Sequence, residues 1–367
     1  MKRTSTLPEF DAALAKAHLL GQWKFGDALA QATQGPTPYG VPYLWKWNDV
    51  HAKLLEACEV IPESFTGRRN LSFRNPGTNG GAATRTLSIG MQAVLPREVC
   101  WAHRHSIGAV RFAIDGDSRL YTAVDGEKLP MESGDLILTP AYSWHDHHNE
   151  SDRIGIWLDV LDTALVFALN QTFYEPFGER MQPLRDRRAD EVSERGGPVR
   201  PASEQPPRAA RPFRYPWRDA RTALNTLSAA EGSPYDGVVL RYVNPVDGGP
   251  TLPTMDCLLQ LLTPALETKR HRHTASAVYH VIEGEGTTVV GGQELHWSAR
   301  DSFAVPSWVW HRHINRSKSE QAVLFCATDT PVLKALGLYR EEPSSSGAAN
   351  LPPPVPAEVT RARTGEP

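Results

Sequence analysis

Cysteine is scarce: Cys58, Cys100, Cys257 and Cys326 are the only four in 367 residues, and no two form a C-x-x-C pair. That spacing indicates neither a disulfide framework nor a thiolate zinc site, and a reducing, cytoplasmic setting is expected. An excess of one charge is lacking too. Lys plus Arg number 39 against 42 Asp plus Glu, with no basic run, so the electrostatic footprint of a nucleic-acid binder is missing. No apolar stretch approaches the roughly 20 residues that cross a bilayer. The opening MKRTSTLPEFDAALAKAH has no apolar core of the signal-peptide type. Gly-rich phosphate loops, G-x-S-x-G elbows and H-E-x-x-H pairs do not compete for the chemistry.

What is present is β-like texture in two blocks. Leu7, Phe10, Leu14 and Ala17 recur at helical spacing, which predicts a helical arm over residues 1–42. From Tyr43 to about residue 178, short apolar runs are cut by turn signals, the pattern of a sandwich or barrel, with a further helix expected at LDTALVFALNQTFYE. Residues 179–234 include a charged, proline-rich stretch and read as a linker. A second β block follows over 235–340, and the proline-rich end, 341–367, is expected to be disordered.

The two blocks repeat one long-range phrase. His103-x-His105 is followed by GDLILTPAYSWHDHHN, which places His145 five residues after Pro140 and Asn149 four later. His271-x-His273 is followed by RDSFAVPSWVWHRHIN, with His311 five after Pro306 and Asn315 four later. Two copies of such a pattern point to internal duplication. On a strand, residues i and i+2 share a face, so each H-x-H presents paired imidazoles that a third from a later strand completes. Three neutral imidazoles suit Fe, Zn, Cu or Ni and leave coordination positions open. Metal binding by His103, His105 and His145 is the expectation, and His271, His273 and His311 form a possible second set.

This order of H-x-H, glycine and G-D-x-x-x-x-P-x-x-x-x-H-x-x-x-N resembles the two motifs of the cupin superfamily. The glutamate that follows H-x-H in many cupins is replaced by Ala109 and Ala277, and Arg300 replaces the motif glycine in the second copy. The phrases YLWKWNDV, GRRNLSFRNPG, HRHSIGAVRF, WHDHHNE, WLDVLDTALV, QTFYE and LRYVNPVDGGPTLPT extend the similarity to bicupin ring-cleaving dioxygenases of the gentisate 1,2-dioxygenase family. The resemblance implies an all-β fold of two tandem jelly-roll barrels with flanking helices, Fe(II) on the first histidine set, and an aromatic ortho-hydroxy acid and O2 as substrates. Oxygen would enter between the carboxyl- and hydroxyl-bearing carbons. It also implies a homo-oligomer, tetrameric in relatives, with the N-terminal helix and YLWKWNDV as contact surface.

An acidic substrate needs a cation, and a guanidinium meets a carboxylate in two parallel bonds. Arg111, six residues after His105, is expected on the same strand with the same parity, where the second copy has Tyr279. His147 shares the face of His145 and is expected to touch the substrate. By resemblance, Asp159 orients or deprotonates the ring hydroxyl, and Gln92 and one of Arg68 and Arg69 line the pocket. Ser88 stands where some salicylate-type relatives carry tryptophan, and a smaller wall there leaves the ring substituent open. Gentisate is the first expectation, with 5-substituted salicylates next. The alternatives are a hydroxynaphthoate- or aminosalicylate-cleaving bicupin, or a non-catalytic cupin that binds a small acid or a metal. Zinc hydrolysis is a weaker alternative, since no carboxylate stands by the triad as general base.

Overall fold

The structure is a computed structural model that describes residues 6–33, 35–61, 68–78, 81–185, 213–227 and 232–344. The stretch 186–212 of the expected linker and 345–367 of the expected tail lie outside the described residues. Met1–Thr37 forms a unit of its own. In it the helix Leu7–Lys16 starts at a Thr6–Glu9 capping box, and a 3-10 turn, Gln22–Phe25, leads into the helix Gly26–Ala32. The expected single helical run is thus broken around Gly21.

The rest of the chain builds two antiparallel barrels, each from one six-stranded and one five-stranded sheet. This is the tandem all-β architecture expected. In the first barrel the six strands run in the order Phe213–Tyr215, Leu136–Thr139, Ala109–Asp115, Gly155–Leu161, Ser88–Val94, Arg69–Ser72. Its second sheet pairs Tyr174–Pro176, Val99–His105, His145–Asn149, Leu120–Val124 and Glu127–Pro130. The second barrel repeats this plan. The helix expected after Asp162 is short, Thr163–Ala168.

Strand alternation divides two apolar environments. In AVRFAID, Val110, Phe112 and Ile114 point outward into a core shared with Val278, Phe325 and Ala327 of the other barrel, where Phe112 stacks on Phe325 with centroids 4.9 Å apart. Ala113 points inward with Trp157, Ile137 and Leu120 to close the floor of the first barrel. Both faces are buried, so these strands read as near-continuous apolar runs. The second barrel fills its interior with Tyr279, Trp297 and Phe303.

Each barrel borrows an edge from the other repeat's leading segment. Tyr43–Trp45, in the block assigned by sequence to the first barrel, pairs with Ser302–Val305 of the second. Phe213–Tyr215, in the stretch read as linker, pairs with Leu136–Thr139 of the first. A helix follows each borrowed strand, Trp47–Val60 and Trp217–Thr226. The amide of Trp47 donates to Asp301 and that of Trp217 to Asp135, both at 2.8 Å. These two buried aspartates belong to the repeated turn that opens the strands Leu136–Thr139 and Ser302–Val305, so one motif side chain caps the helix of the other repeat. Gly134 at that turn has φ +90, and a Cβ there would meet the Trp217 ring at 2.5 Å. Arg300 takes the same left-handed backbone, φ 73, and ties the barrels by a 2.8 Å ion pair to Asp115. Glu341–Pro343, in the expected tail, is a strand on His271–His273.

Two further aspartates bridge the barrels in the same reciprocal way. Asp162 accepts from the Gly108 amide and the Thr254 hydroxyl; Asp329 accepts from the Ser276 amide and the Thr86 hydroxyl. Burial raises the Asp329 carboxyl to about 6 from 3.8. The folded chain therefore holds a proton that the unfolded chain has released between about pH 4 and 6, and stability falls as pH rises through that window. This group alone costs on the order of 2–3 kcal/mol by pH 7. Asp329→Asn removes that slope, so its melting temperature gains on the parent's from pH 4.5 to pH 7. A constant difference across that range would contradict the assignment.

Candidate active site

The three histidines of the first repeat come from neighbouring strands of the five-stranded sheet. His103 and His105 end the strand Val99–His105, where a register shift between Cys100 and His103 re-aims the pair. His145 opens the adjacent strand and sits opposite His103. Each Nδ1 is engaged by a carbonyl: His103 with Trp101 at 2.6 Å, His105 with Ile107 at 2.8 Å and His145 with Ser143 at 3.0 Å. An Nδ1–H donated to a carbonyl leaves Nε2 as the lone-pair nitrogen, the arrangement metal-bound histidine uses. One donor atom from each ring lies within 4.8 Å of the others, and no other group among the described residues converges this tightly. Burial, reinforced by the arginines, holds all three imidazoles neutral, His105 down to about 4. The buried Nε2 of His145 has no hydrogen-bond partner. Three neutral, oriented, buried nitrogens are a fitting set for a divalent metal.

Arg111 faces the same interior, but not by the route expected. The strand of His105 ends there, the chain crosses between sheets at Ser106–Gly108, and Arg111 lies on Ala109–Asp115 of the other sheet. Two sheets facing one cavity bring the groups together where one continuous strand does not. Arg111 is 2% exposed; its Nε lies 3.3 Å from Asp159, and it donates to the Thr139 hydroxyl. Asp159, directly paired with Arg111 across the ladder, also accepts from Trp157 Nε1 at 3.1 Å and Asn70 Nδ2 at 2.9 Å. Burial raises its carboxyl above the ordinary range, with Arg111 opposing that rise.

The adjacent arginines separate cleanly. Arg69 is drawn away to Glu98, its Nη1 donating to both carboxylate oxygens at 2.6 and 2.7 Å, while Arg68 donates to Nε2 of His103 and lines a cavity of about 590 Å³. Ser88, Asn70, Arg111 and Asp159 line that cavity too. Gln92 is buried on the same strand as Ser88, its amide 3.6 Å from Cys100 Sγ, and does not line the cavity. His147 bonds the Thr122 hydroxyl through Nδ1 at 2.8 Å, and its Nε2 is buried without a partner. Asn70, Thr139 and Thr122 were not anticipated. For Thr139 a signal existed: it aligns with Val305 before the motif proline, at the site where Arg111 aligns with Tyr279.

Comparison with known proteins bears directly on this site. A Cupin domain matches residues 90–161 and again 258–328. The chain is 43% identical to a 1-hydroxy-2-naphthoate 1,2-dioxygenase of Nocardioides sp. (strain KP7), over 94% of this chain and 89% of that protein. It is 41% identical to a 5-aminosalicylate 1,2-dioxygenase of Comamonas sp, over 90% and 88%. Among solved structures, a salicylate 1,2-dioxygenase of Pseudoaminobacter salicylatoxidans with gentisate matches at a TM-score of 0.80 and 29% identity, covering 94% of this chain and 96% of that one. The chain belongs to the gentisate and salicylate 1,2-dioxygenase family. It is a ring-cleaving dioxygenase, and the non-catalytic cupin and the zinc hydrolase weighed from the sequence give way.

Within this dioxygenase, the second barrel carries the second histidine set, but Tyr279 and Cys326 replace Arg111 and Asp159 at matching strand positions. The charge that an acidic substrate needs is concentrated in the first barrel.

Proposed function

We propose that the first barrel, residues 43–178 in the division read from the sequence, cleaves an ortho-hydroxy aromatic acid with an extended ring, with 1-hydroxy-2-naphthoate ahead of gentisate. The observation that carries this reading is the cavity of about 590 Å³ that reaches from Arg68 and Arg111, beside the histidines but not lined by them, to a wall in which Ser88, Ala82, Ala164 and Ala168 alternate with larger groups such as Tyr39 and Phe167. That volume lies mid-range for pockets that enclose drug-sized ligands. The most similar of the relatives named above has this substrate in its name.

Fe(II) on His103, His105 and His145 would supply the coordination positions at which the acid chelates and O2 is activated. Both oxygen atoms enter the opened ring, so no external reductant is required. Arg68 and Arg111 are the cations available to the carboxylate, and Arg68 would exchange its histidine contact for that bond. Asp159, braced by Trp157 and Asn70, fixes the Arg111 fork. His147, its Nδ1 engaged by Thr122, would offer Nε2 as a hydrogen-bonding partner to the ring hydroxyl. A homotetramer follows from the family resemblance, and a cytoplasmic setting is supported by four free cysteines.

The test is oxygen uptake by the Fe(II)-loaded enzyme on 1-hydroxy-2-naphthoate, 5-aminosalicylate, salicylate and gentisate, with Ser88→Trp alongside. The bicyclic acid should give the highest kcat/KM, and Ser88→Trp should lower it about 100-fold while gentisate changes less than about tenfold. A parent preference for gentisate would overturn the bicyclic reading and leave the one-ring reading in its place.

A further inference from the structure

The second barrel keeps one half of the first barrel's site and rebuilds the other. The imidazole half is kept. Ring centroids of His271, His273 and His311 are 5.6, 4.4 and 4.9 Å apart. The first set has 5.6, 4.3 and 4.8 Å. His273 Nδ1 meets the Ala275 carbonyl at 2.7 Å and His311 Nδ1 that of Val309 at 3.0 Å, the counterparts of the Ile107 and Ser143 bonds. Nε2 of His271 and of His311 are buried without a hydrogen-bond partner.

The charged half is inverted. Ahead of the strand Arg69–Ser72, Arg68 sets a cation against Nε2 of His103. Ahead of the matching strand Val238–Arg241, Asp236 sets a carboxylate oxygen 3.5 Å from Nε2 of His271. Glu341 stands 3.2 Å from the Nδ1 of the same ring. The second set falls short of the 4.8 Å convergence of the first, with His271 held between these two carboxylates. Tyr279 and Cys326, in place of the arginine and aspartate, are kept uncharged by burial. A site with two cations and an open cavity suits an anionic substrate. A site with three imidazoles, two carboxylates and no cation in its lining suits a metal ion by itself.

We propose that the second barrel binds a divalent cation of the zinc type through Nε2 of His271, His273 and His311, with the Asp236 carboxylate as fourth ligand. Three nitrogens and one oxygen fill a tetrahedral shell, so the ion is a structural tie rather than a second catalytic centre. It pins the His271 and His311 strands to the segment that enters Val238–Arg241. A cavity of about 220 Å³ lined by Asp236, His271, His273 and Glu341 gives the ion its access path.

The test needs no turnover. The full-length chain, stripped of metal, is titrated with Co2+ and separately with Zn2+, and bound metal is counted after dialysis. Two equivalents per chain are expected, and one in the His103→Ala/His105→Ala variant. There the cobalt form should show the intense visible bands of a tetrahedral centre. Asp236→Asn in that background should weaken Zn2+ binding at least tenfold in chelator competition. A folded double variant that binds no metal overturns the proposal. Should the double variant not fold, a parent that saturates at one equivalent overturns it instead. Undiminished affinity in Asp236→Asn removes the carboxylate from the ligand set. None of these readings depends on the ring-cleavage substrate.

Discussion

His145→Ala lowers oxygen uptake by more than about 1,000-fold, at least ~4 kcal/mol of activation free energy, and takes the metal of the first barrel with it. The reasoning starts from burial. His145 is 0% exposed, and its ring is oriented by one bond to the Ser143 carbonyl. Alanine leaves two donors on one strand, His103 and His105, and the next imidazole of that face on the adjacent strand, His147, is 5.9 Å from the lost ring and tied through Nδ1 to Thr122. Two imidazoles bind a divalent ion far less tightly than three, and the chelating acid then has no fixed ion to meet. Metal analysis of the dialysed variant, beside its oxygen uptake, checks both parts. The pH at which the parent releases its metal follows from the same burial. A proton competes with the metal for Nε2 only near the ring's own pKa, and burial brings His105 down to about 4. Acid release should therefore fall well below pH 6.5, the ordinary histidine midpoint. Retention of both metal and activity in His145→Ala would refute this assignment of the centre.

Arg111→Met is expected to have the second-largest effect, divided between stability and catalysis. The guanidinium and Asp159 are both buried, at 2% and 4% exposed, and are charged neighbours at 3.3 Å. Removing one partner of such a pair costs about 3–5 kcal/mol, because the other charge stays uncompensated. Asp159, already raised by burial, loses the charge that holds it down and moves further toward its protonated form. Denaturant unfolding should therefore show a large loss at pH 8 and a smaller one at pH 5.5. Adding Asp159→Asn should restore part of the stability, giving a coupling of about 1–3 kcal/mol in the double-mutant cycle. It should restore none of the activity. With the fork gone, the substrate carboxylate keeps only Arg68, and kcat/KM should fall by about 100-fold or more. Arg111→Lys keeps the charge without the planar fork, and belongs between parent and methionine variant. An unchanged kcat/KM in Arg111→Met would remove Arg111 from the substrate site.

The histidine cluster was legible because the duplication writes it twice, at fixed distances from a proline and an asparagine. Faces were legible as well, since strand parity is a local property. Partnerships across space were not. Arg68 and Arg69 are neighbours of identical type, and the choice between them rests on Glu98, whose carboxylate captures Arg69. Local pattern cannot report a pairing set by a turn about 30 residues away. The continuous strand expected from His105 to Arg111 failed for a related reason. Ser106–Gly108 crosses from one sheet to the other, and periodicity has no marker for which sheet a strand joins. The same limit hid the exchanged edges. YLWKWNDV and FRYPWRDA are two copies of one strand-and-helix phrase, and aligning them would have extended the repeat past the barrels themselves.

The exchanged edges bear on how this chain could change over generations. Neither half owns its full outline: the first closes on Phe213–Tyr215 and the second on Tyr43–Trp45. A gene that lost its second half would leave the first with an open edge and the helix Trp47–Val60 without its capping aspartate, Asp301. Deletion is thereby closed to selection, while drift inside the second barrel stays open. Tyr279 and Cys326 stand where Arg111 and Asp159 do in the first copy, within a frame the first copy cannot discard.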